Sequence, residues 1–104
     1  MEYRKIDYDG FDWDGGNTLK VKERVSIEQV ELVFKNEVLF FKDEIHSTLA
    51  EERFIAVSET SENRILFIIF TFRKIENKNL LRIISSRYTH QKERELYEKI
   101  KKSF

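Results

Sequence analysis

Apolar residues recur with helical spacing directly after Ser26. The recurring residues are Ile27, Val30, Val33 and Phe34. Intervals of three and four place these side chains on one stripe, so the pattern predicts a helix over 27–35 with one buried side. Ser26 and Gln29 have the spacing of a capping box, which places the start of this helix at Ser26. A brief helix over about 16–23 is predicted before it.

Strand-like apolar segments dominate the rest of the chain. They are the short "FDWD" at 11–14, "VLFF" at 38–41, "RFIAVSE" from 53, "RILFIIFTFR" from 64 and "LLRIISS" from 80. The connectors "TSEN" and "KIENKN" are short, and a parallel return needs a dozen or more residues, so we predict antiparallel pairing of the last three segments. The segment from 64 is apolar at consecutive positions, which predicts a central strand covered on both faces.

A last helix is predicted from Thr89 to about Lys102. Its apolar face would consist of Leu96, Tyr97, Ile100 and Phe104. The sum is an α+β domain with two N-terminal helices, a four-stranded antiparallel sheet and a C-terminal helix. A chain of 104 residues suits one core, and no linker or repeat interrupts it, so we expect a single domain over 1–104.

Composition excludes several classes of site. The chain has no Cys, so it cannot form disulfides or thiolate metal sites. It contains no metal-binding His motif, no Gly-rich phosphate loop and no G-x-S-x-G elbow, so we expect neither a metal nor a cofactor. The longest apolar run, "ILFIIF", is far shorter than the roughly 18 residues that span a bilayer, and the charged N-terminus resembles no signal peptide. We therefore expect a cytoplasmic protein without a membrane segment.

The zero net charge conceals an asymmetry along the chain. Residues 1–72 hold 9 Lys and Arg against 15 Asp and Glu, a net of −6, whereas residues 73–104 hold 10 against 4, a net of +6. A basic region attracts phosphates even when the whole molecule is neutral, which favours a nucleic-acid partner. The alternative is a Lys-rich helix that is merely solvated.

Arginines lie at or near the ends of the predicted strands. They are Arg53, Arg73, Arg82 and Arg87. Arg82 interrupts an apolar strand, and burying its charge without a partner would cost several kcal/mol. Because guanidinium groups bind phosphate in a bidentate manner and stay charged, we predict a phosphate cradle on one face. The alternative is that Arg53 and Arg82 form ordinary ion pairs, with Glu51, Glu52 or Glu93 as the partners.

Two histidines are candidates for proton transfer. His46 lies in an acidic loop and His90 lies near the start of the last helix. An imidazole can act as base or acid near neutral pH, but a loop histidine is more often only exposed. Lys20 and Arg24 are further candidates for the same role.

Five segments together resemble a known family. They are "FDWDGGN", "VSIEQVELVF", "HSTLAEERFIAV", "ILFIIFTFR" and "LRIISSRYTHQKERELYEKI". In this order they resemble the BrnT family of type II toxins, whose fold is similar to that of the RelE ribonucleases. The most specific part is the closing R-I-I-S-A-R motif with a later K-E-R and Y. Its matches here are Arg82, Ile83, Ile84, Ser85, Arg87, Lys92, Glu93, Arg94 and Tyr97. Glu52 and Arg53 match the family's E-R, and Thr71 with Arg73 matches its T-x-R.

The resemblance implies a toxin that cleaves RNA and blocks translation. It also implies a BrnA-like antitoxin with a ribbon-helix-helix region, through which the complex would bind operator DNA and repress its own promoter. The implied catalytic residues are Arg24, Arg53, Arg73, Arg82 and Arg87. The implied RNA-binding residues are Lys20, Lys92 and Arg94.

The chain departs from the family pattern at the start of the second helix. The family usually has His-Gly before the Val-Ser that opens this helix, whereas here Arg24 directly precedes Val25 and Ser26. Arg24 would keep phosphate binding but lose proton transfer. The alternative function is therefore a catalytically impaired binding module within a DNA-bound toxin–antitoxin complex. A general RNA-binding domain is less favoured, because no run of aromatic residues resembles a stacking platform.

Overall fold

A computed structural model of the chain describes residues 1–104 and contains one six-stranded sheet and three helices. The strands are β1 (Glu2–Arg4), β2 (Gly10–Phe11), β3 (Val38–Lys42), β4 (Phe54–Glu59), β5 (Ile65–Ile75) and β6 (Lys78–Tyr88). The helices are α1 (Thr18–Lys22), α2 (Ile27–Val33) and α3 (Gln91–Lys101). The strand order is β1-β3-β4-β5-β6-β2, and every neighbouring pair is antiparallel except β2 with β6.

This architecture confirms the α+β class and corrects its details. Strands β3 to β6 are adjacent and antiparallel, as the short connectors predicted. The prediction of a four-stranded antiparallel sheet was wrong, because β1 and β2 extend the sheet at both edges and β2 runs parallel to β6. The two helices are also not N-terminal elements, since β1 and β2 precede them. Only Phe11 of the predicted strand over 11–14 belongs to a strand.

The back face of the sheet is the face that α1 and α2 cover. The predicted stripe of α2 is confirmed, with Val30, Val33 and Phe34 at most 2% exposed and packed into the main core. Ser26 caps α2 by accepting a hydrogen bond from Gln29 N at 3.2 Å, as the capping-box spacing predicted. The sheet contributes Leu66, Ile68, Phe70, Leu81 and Ile83 to this core.

The front face of the sheet is the opposite face, which carries α3 over part of its area. Tyr97 is buried and Ile100 packs beside it, but Leu96 and Phe104 are 57% and 61% exposed. Only two of the four residues predicted for the apolar face of α3 therefore pack against the sheet. The residues under α3 are Leu39 of β3, Ile55 and Val57 of β4 and Ile65 of β5. They lie in the half of the sheet that contains the start of β5. The end of β5 extends past this cover.

A β-bulge at Ile84 sets which side chains of β6 face forward. Ile83 and Ser85 pair with consecutive residues of β5, so Ile84 is an extra residue in β6. Arg82 and Arg87 are five residues apart, an odd separation that would place them on opposite faces of a regular strand. The extra residue restores their phase, and both belong to the front face.

Candidate active site

A row of polar residues crosses the front face beyond α3, one from each of four neighbouring chain segments. The row consists of Asp43 after β3, Arg53 before β4, Thr71 of β5 and Arg82 of β6. Asp43 N donates to Arg53 O at 2.8 Å, and Thr71 pairs with Arg82 in the β5–β6 register. Thr71 Oγ1 donates to Glu52 O at 2.7 Å, which joins the middle of the row. Adjacent strands lie about 4.8 Å apart, so the row spans roughly 14 Å.

Two arginines converge at the β6 end of this row. Arg82 Nη1 and Nη2 donate to the two carboxylate oxygens of Asp14, each at 3.0 Å. Arg82 Nη1 also lies 3.4 Å from Asp12 Oδ2, and Arg73 Nη1 lies 3.6 Å from the same oxygen. One carboxylate oxygen therefore marks a point that two guanidinium groups reach together.

The segment that carries these carboxylates is fixed against β6 by Asn17. This buried amide donates to Ile83 O at 2.9 Å and to Asp12 O at 3.0 Å, while Asp14 N donates to its oxygen at 2.9 Å. A Cβ atom on Gly16 would lie 3.0 Å from Asp14 Oδ1 and 3.3 Å from Arg82 Nη2. Glycine at this position lets the segment lie directly against the guanidinium group.

The electrostatics of the Asp14–Arg82 pair keep both groups ionised. The hydrogen bond from Arg82 holds the pKa of the Asp14 carboxyl below its usual value, and the same bond raises the pKa of Arg82. The Asp14 side chain is nevertheless 55% exposed, whereas that of Arg82 is only 15% exposed. Asp14 is therefore the solvent-facing member of the pair.

The β3 end of the row contains a histidine and a buried carboxylate. His46 Nδ1 lies 2.8 Å from Asp43 Oδ2, and Asp43 is 6% exposed. Arg53 Nε donates to Glu51 Oε1 at 3.0 Å, which confirms one of the ion pairs that the sequence offered as an alternative. Arg53 is about one-third exposed.

Arg87 shares the front face but lies apart from the convergence point. It pairs with Phe67, four residues before Thr71 on β5, which corresponds to about 13 Å along the strand. Its guanidinium group makes two hydrogen bonds of 2.8 Å to Glu93 of α3 and lies 4.6 Å from the centre of the Phe67 ring. These contacts tie α3 to β6.

The remaining sequence candidates lie outside the row. Lys20 belongs to α1 and Arg24 lies in the turn before α2, where it lines a shallow groove, so both belong to the helical layer of the back face. Lys92 and Arg94 belong to α3, and Arg94 donates to Asn63 O at 2.9 Å and to Glu98 at 3.2 Å. His90 precedes α3 and donates its backbone N–H to Glu93.

Sequence reasoning missed the partners of Arg82. It offered Glu51, Glu52 and Glu93, whereas the structure supplies Asp12 and Asp14 from a segment 68 residues away in the chain. The acidic alternation in "FDWD" was the available signal. It became informative only with the pairing of β2 against β6.

A cleft of about 570 Å³ lies at the end of the sheet next to the row. Its lining includes Leu49, Glu51, Phe54, Thr71, Phe72 and Arg73. No group of three or more His, Cys, Asp and Glu side chains is arranged to hold a metal ion. No helix combines the length and apolar character needed to cross a bilayer.

Comparison with known proteins identifies the family. A search of curated proteins gave no match to this chain. The model of a family described as the ribonuclease toxin BrnT of type II toxin–antitoxin systems matches residues 13–93. This range contains the whole polar row, Asp14, the Arg87–Glu93 pair and most of the sheet. The chain thus belongs to the BrnT family of ribonuclease toxins of type II toxin–antitoxin systems.

Proposed function

We propose that this toxin is a metal-independent endoribonuclease of the cytoplasm that cuts RNA at the polar row and so inhibits translation. The observation that supports it best is the convergence of Arg73 and Arg82 on one oxygen of Asp12, at 3.6 and 3.4 Å. Two guanidinium groups within reach of one oxygen can bind a phosphate with the same geometry. Arg53, in the same row, would contact the RNA backbone beside it.

The proposed reaction is attack of an RNA 2′-hydroxyl on the adjacent phosphorus. The 2′-oxygen forms a bond to phosphorus and the bond to the 5′-oxygen breaks, which leaves a cyclic phosphate and a free 5′-hydroxyl. Negative charge grows on the non-bridging oxygens in the transition state, and Arg73 and Arg82 would stabilise it there. The proposal requires no metal, because the guanidinium groups supply the positive charge.

Binding of RNA would displace Asp14 from Arg82, and a phosphate that contacts both Arg73 and Arg82 would also take the place of Asp12 Oδ2. The Asp14 carboxylate accepts hydrogen bonds from both terminal nitrogens of Arg82, as a phosphate would, and the Asp14 side chain is about half exposed. The Lys92 and Arg94 side chains of α3 would extend the RNA-binding surface on the same side of the sheet. Lys20 and Arg24 lie behind the sheet, so we leave them out of the proposed reaction, and Arg87 would mainly hold α3.

The proposed partner is a BrnA-like antitoxin with a ribbon-helix-helix region. Membership of a type II toxin family supports an antitoxin partner. The antitoxin would neutralise the toxin and carry the complex to operator DNA. A short neighbouring reading frame with a ribbon-helix-helix pattern would support this partner, and co-purification of the two products tests it.

The catalytic proposal can be tested with purified toxin, RNA and excess EDTA. Wild-type protein should cut the RNA, and Arg82→Ala should cut it about 10²- to 10³-fold more slowly, the scale for loss of one donor to a developing charge. Arg4→Ala is the matched control, because Arg4 is exposed on edge strand β1 and pairs only locally with Glu2. Equal rates for wild type and Arg82→Ala, with both folded by circular dichroism, would remove Arg82 from the mechanism.

A binding module without catalysis is the second candidate. Two observations favour it: Arg53, Arg73 and Arg82 each already have a carboxylate partner, and Arg24 stands where the family usually has His-Gly. Expression in a bacterial host separates the two candidates. An active ribonuclease should arrest growth unless the antitoxin is co-expressed, whereas a binding module should leave growth unchanged.

A further inference from the structure

The hairpin of β5 and β6 extends past the end of the neighbouring strand β4. Phe54, the first residue of β4, pairs with Phe70, whereas β5 continues to Ile75. Residues 71–75 therefore have β6 on one side and no strand on the other, and we call this open side the β5 edge. Their backbone groups make no hydrogen bond outside the β5–β6 ladder. A free edge of this kind can pair with a further strand.

The contacts of β6 on its far side show which backbone groups the β5 edge offers. Asn79 O and Leu81 O accept hydrogen bonds at 2.7 and 2.9 Å from the residues that flank β2, so the backbone groups of both point away from β5. Opposite residues of an antiparallel ladder share this orientation. Their partners Lys74 and Phe72 therefore point N–H and C=O away from β6, into the β5 edge. These alternating donors and acceptors match a peptide strand, whereas a phosphate backbone offers acceptors but no N–H donors.

The cleft of about 570 Å³ lies along the β5 edge. Its lining includes side chains from both faces of the sheet, among them Phe54, Phe72, Arg73 and Ile75. On the back face, the ring centres of Phe54 and Phe72 are 5.2 Å apart, and Phe72 is 40% exposed. On the front face, the Arg73 side chain is 45% exposed, and its only ion pair is the 3.6 Å contact with Asp12. The cleft thus offers apolar contact on one face and a positive charge on the other.

The charges around the cleft favour an acidic partner. Lys74 and Lys78 of the hairpin form no ion pair. The carboxylates of the cleft wall, Glu51 and Glu52, are each already paired with a cation. The charge left without a partner is therefore positive, and a strand that carries carboxylates complements it.

We propose that an extended segment of the antitoxin, with apolar and acidic residues in alternation, adds to the β5 edge as a further strand. This inference rests on the antitoxin partner and on the role of Arg73 that are proposed above. Residues of the segment on the back face would pack against Phe54 and Phe72. An acidic residue on the front face would lie beside Arg73, because cross-strand neighbours are about 5 Å apart. Its carboxylate would then occupy the guanidinium group that binds the RNA phosphate, and cleavage would stop.

Hydrogen exchange of two backbone amides tests strand addition directly. The toxin is co-expressed with the product of the neighbouring reading frame, and amide exchange in the purified complex is compared with exchange in the toxin alone. The amides of Phe72 and Lys74 should exchange about 10²-fold or more slowly in the complex, because they gain carbonyl partners. The amide of Arg73 is the internal control. It already faces β6, so its exchange should change far less.

Two substitutions of one residue separate backbone pairing from side-chain contact. Lys74→Pro removes the outward N–H and places a ring carbon at the β5 edge, whereas Lys74→Ala removes only the side chain. Lys74→Pro should therefore raise the Kd for the antitoxin at least about tenfold more than Lys74→Ala does. Both variants should remain folded by circular dichroism and should cut RNA at the wild-type rate without antitoxin, since the Lys74 N–H has no partner in the toxin.

Each outcome decides the inference. A stable complex in which the Phe72 and Lys74 amides exchange as fast as in the free toxin would overturn it and leave the antitoxin partner standing. Equal antitoxin binding by Lys74→Pro and Lys74→Ala would do the same. Failure to form any complex would remove both the antitoxin proposal and this inference. Because neither measurement depends on RNA cleavage, a toxin that cuts no RNA would leave the strand addition intact.

Two other occupants of the β5 edge give distinct results. Protection of the Phe72 and Lys74 amides in concentrated toxin alone, together with a dimer by light scattering, would assign the edge to a second copy of the chain. Protection by RNA with 2′-O-methyl groups, which cannot be cut, would assign it to nucleic acid. Either result would overturn the assignment to the antitoxin.

Discussion

Replacing Glu93 with Gln should destabilise the fold in a pH-dependent manner. The Glu93 carboxylate accepts two hydrogen bonds of 2.8 Å from Arg87 and one of 2.9 Å from His90 N. The Arg87 bonds, followed by the His90 bond, lower the pKa of Glu93 from 4.5 to about 2. Gln keeps the size of the side chain but removes its charge, so both the clamp on β6 and the favourable charge at the start of α3 are lost.

The size of the effect follows from this pKa and from the exposure of the pair. One pKa unit corresponds to 1.36 kcal/mol, so a fall from 4.5 to about 2 corresponds to about 3 kcal/mol without solvent screening. The two side chains are 32% and 34% exposed, and screening leaves roughly 1 to 1.5 kcal/mol of stabilisation. For a domain of this size we expect Glu93→Gln to lower Tm by roughly 5 to 10 °C at neutral pH.

The sign of the pH dependence is fixed because the folded state has the lower pKa. The stabilisation is fully present above the unfolded-state pKa and is lost as pH falls toward about 2. Urea unfolding followed by circular dichroism at pH 7 and near pH 2 measures the difference in the free energy of unfolding between wild type and Glu93→Gln. Glu95→Gln is the control, since the Glu95 carboxylate accepts a hydrogen bond from Gln91 and forms no ion pair. An equal gap at the two pH values, or none at pH 7, would refute the reasoning.

Three further substitutions test other parts of the structure. Asp14→Asn should strengthen binding of 2′-O-methyl RNA several-fold, because it removes the negative charge that competes with phosphate for Arg82. Unchanged or weaker binding would contradict the proposal that RNA displaces Asp14. Ser26→Ala should lower the free energy of unfolding by about 1 kcal/mol, because Gln29 N loses its acceptor, and an unchanged urea midpoint would rule this out. Glu76→Gly should raise the free energy of unfolding by about 0.5 to 1 kcal/mol, because Glu76 has a φ of 50°, a left-handed conformation that glycine adopts without strain. A lower urea midpoint would show that the turn is not strained.

The parts of the fold that the sequence predicted are those with long periodic patterns. Helix α2 and strands β3 to β6 each contain enough residues for alternation or helical spacing to be visible. Strands β1 and β2 have three and two residues, which is too few for any period. Their places in the sheet depend on contacts with β3 and β6, so only the tertiary structure specifies them.

The candidate site was predictable to the extent that its contacts are local. Arg53 and Glu51 are two residues apart, and their pair was among the alternatives that the sequence offered. Glu93 was also named as an ion-pair partner, but for Arg53 or Arg82, whereas its partner in the structure is Arg87, six residues away. The partner of Arg82 is 68 residues away and arrives through the parallel pairing of β2. In α3 the helical period correctly marked Tyr97, but it also marked exposed residues, because the helix covers only part of the sheet.

The extra residue in β6 and the bulge that contains it depend on each other. If β6 kept all its residues but paired without the bulge, Arg87 would turn to the back face and Tyr88, which packs there, would turn to the front. Deleting Ile84 would remove the bulge and the extra residue together, which leaves Arg82 and Arg87 four residues apart in a regular strand and still on one face. The strand therefore tolerates loss of the bulge only when one residue is lost with it.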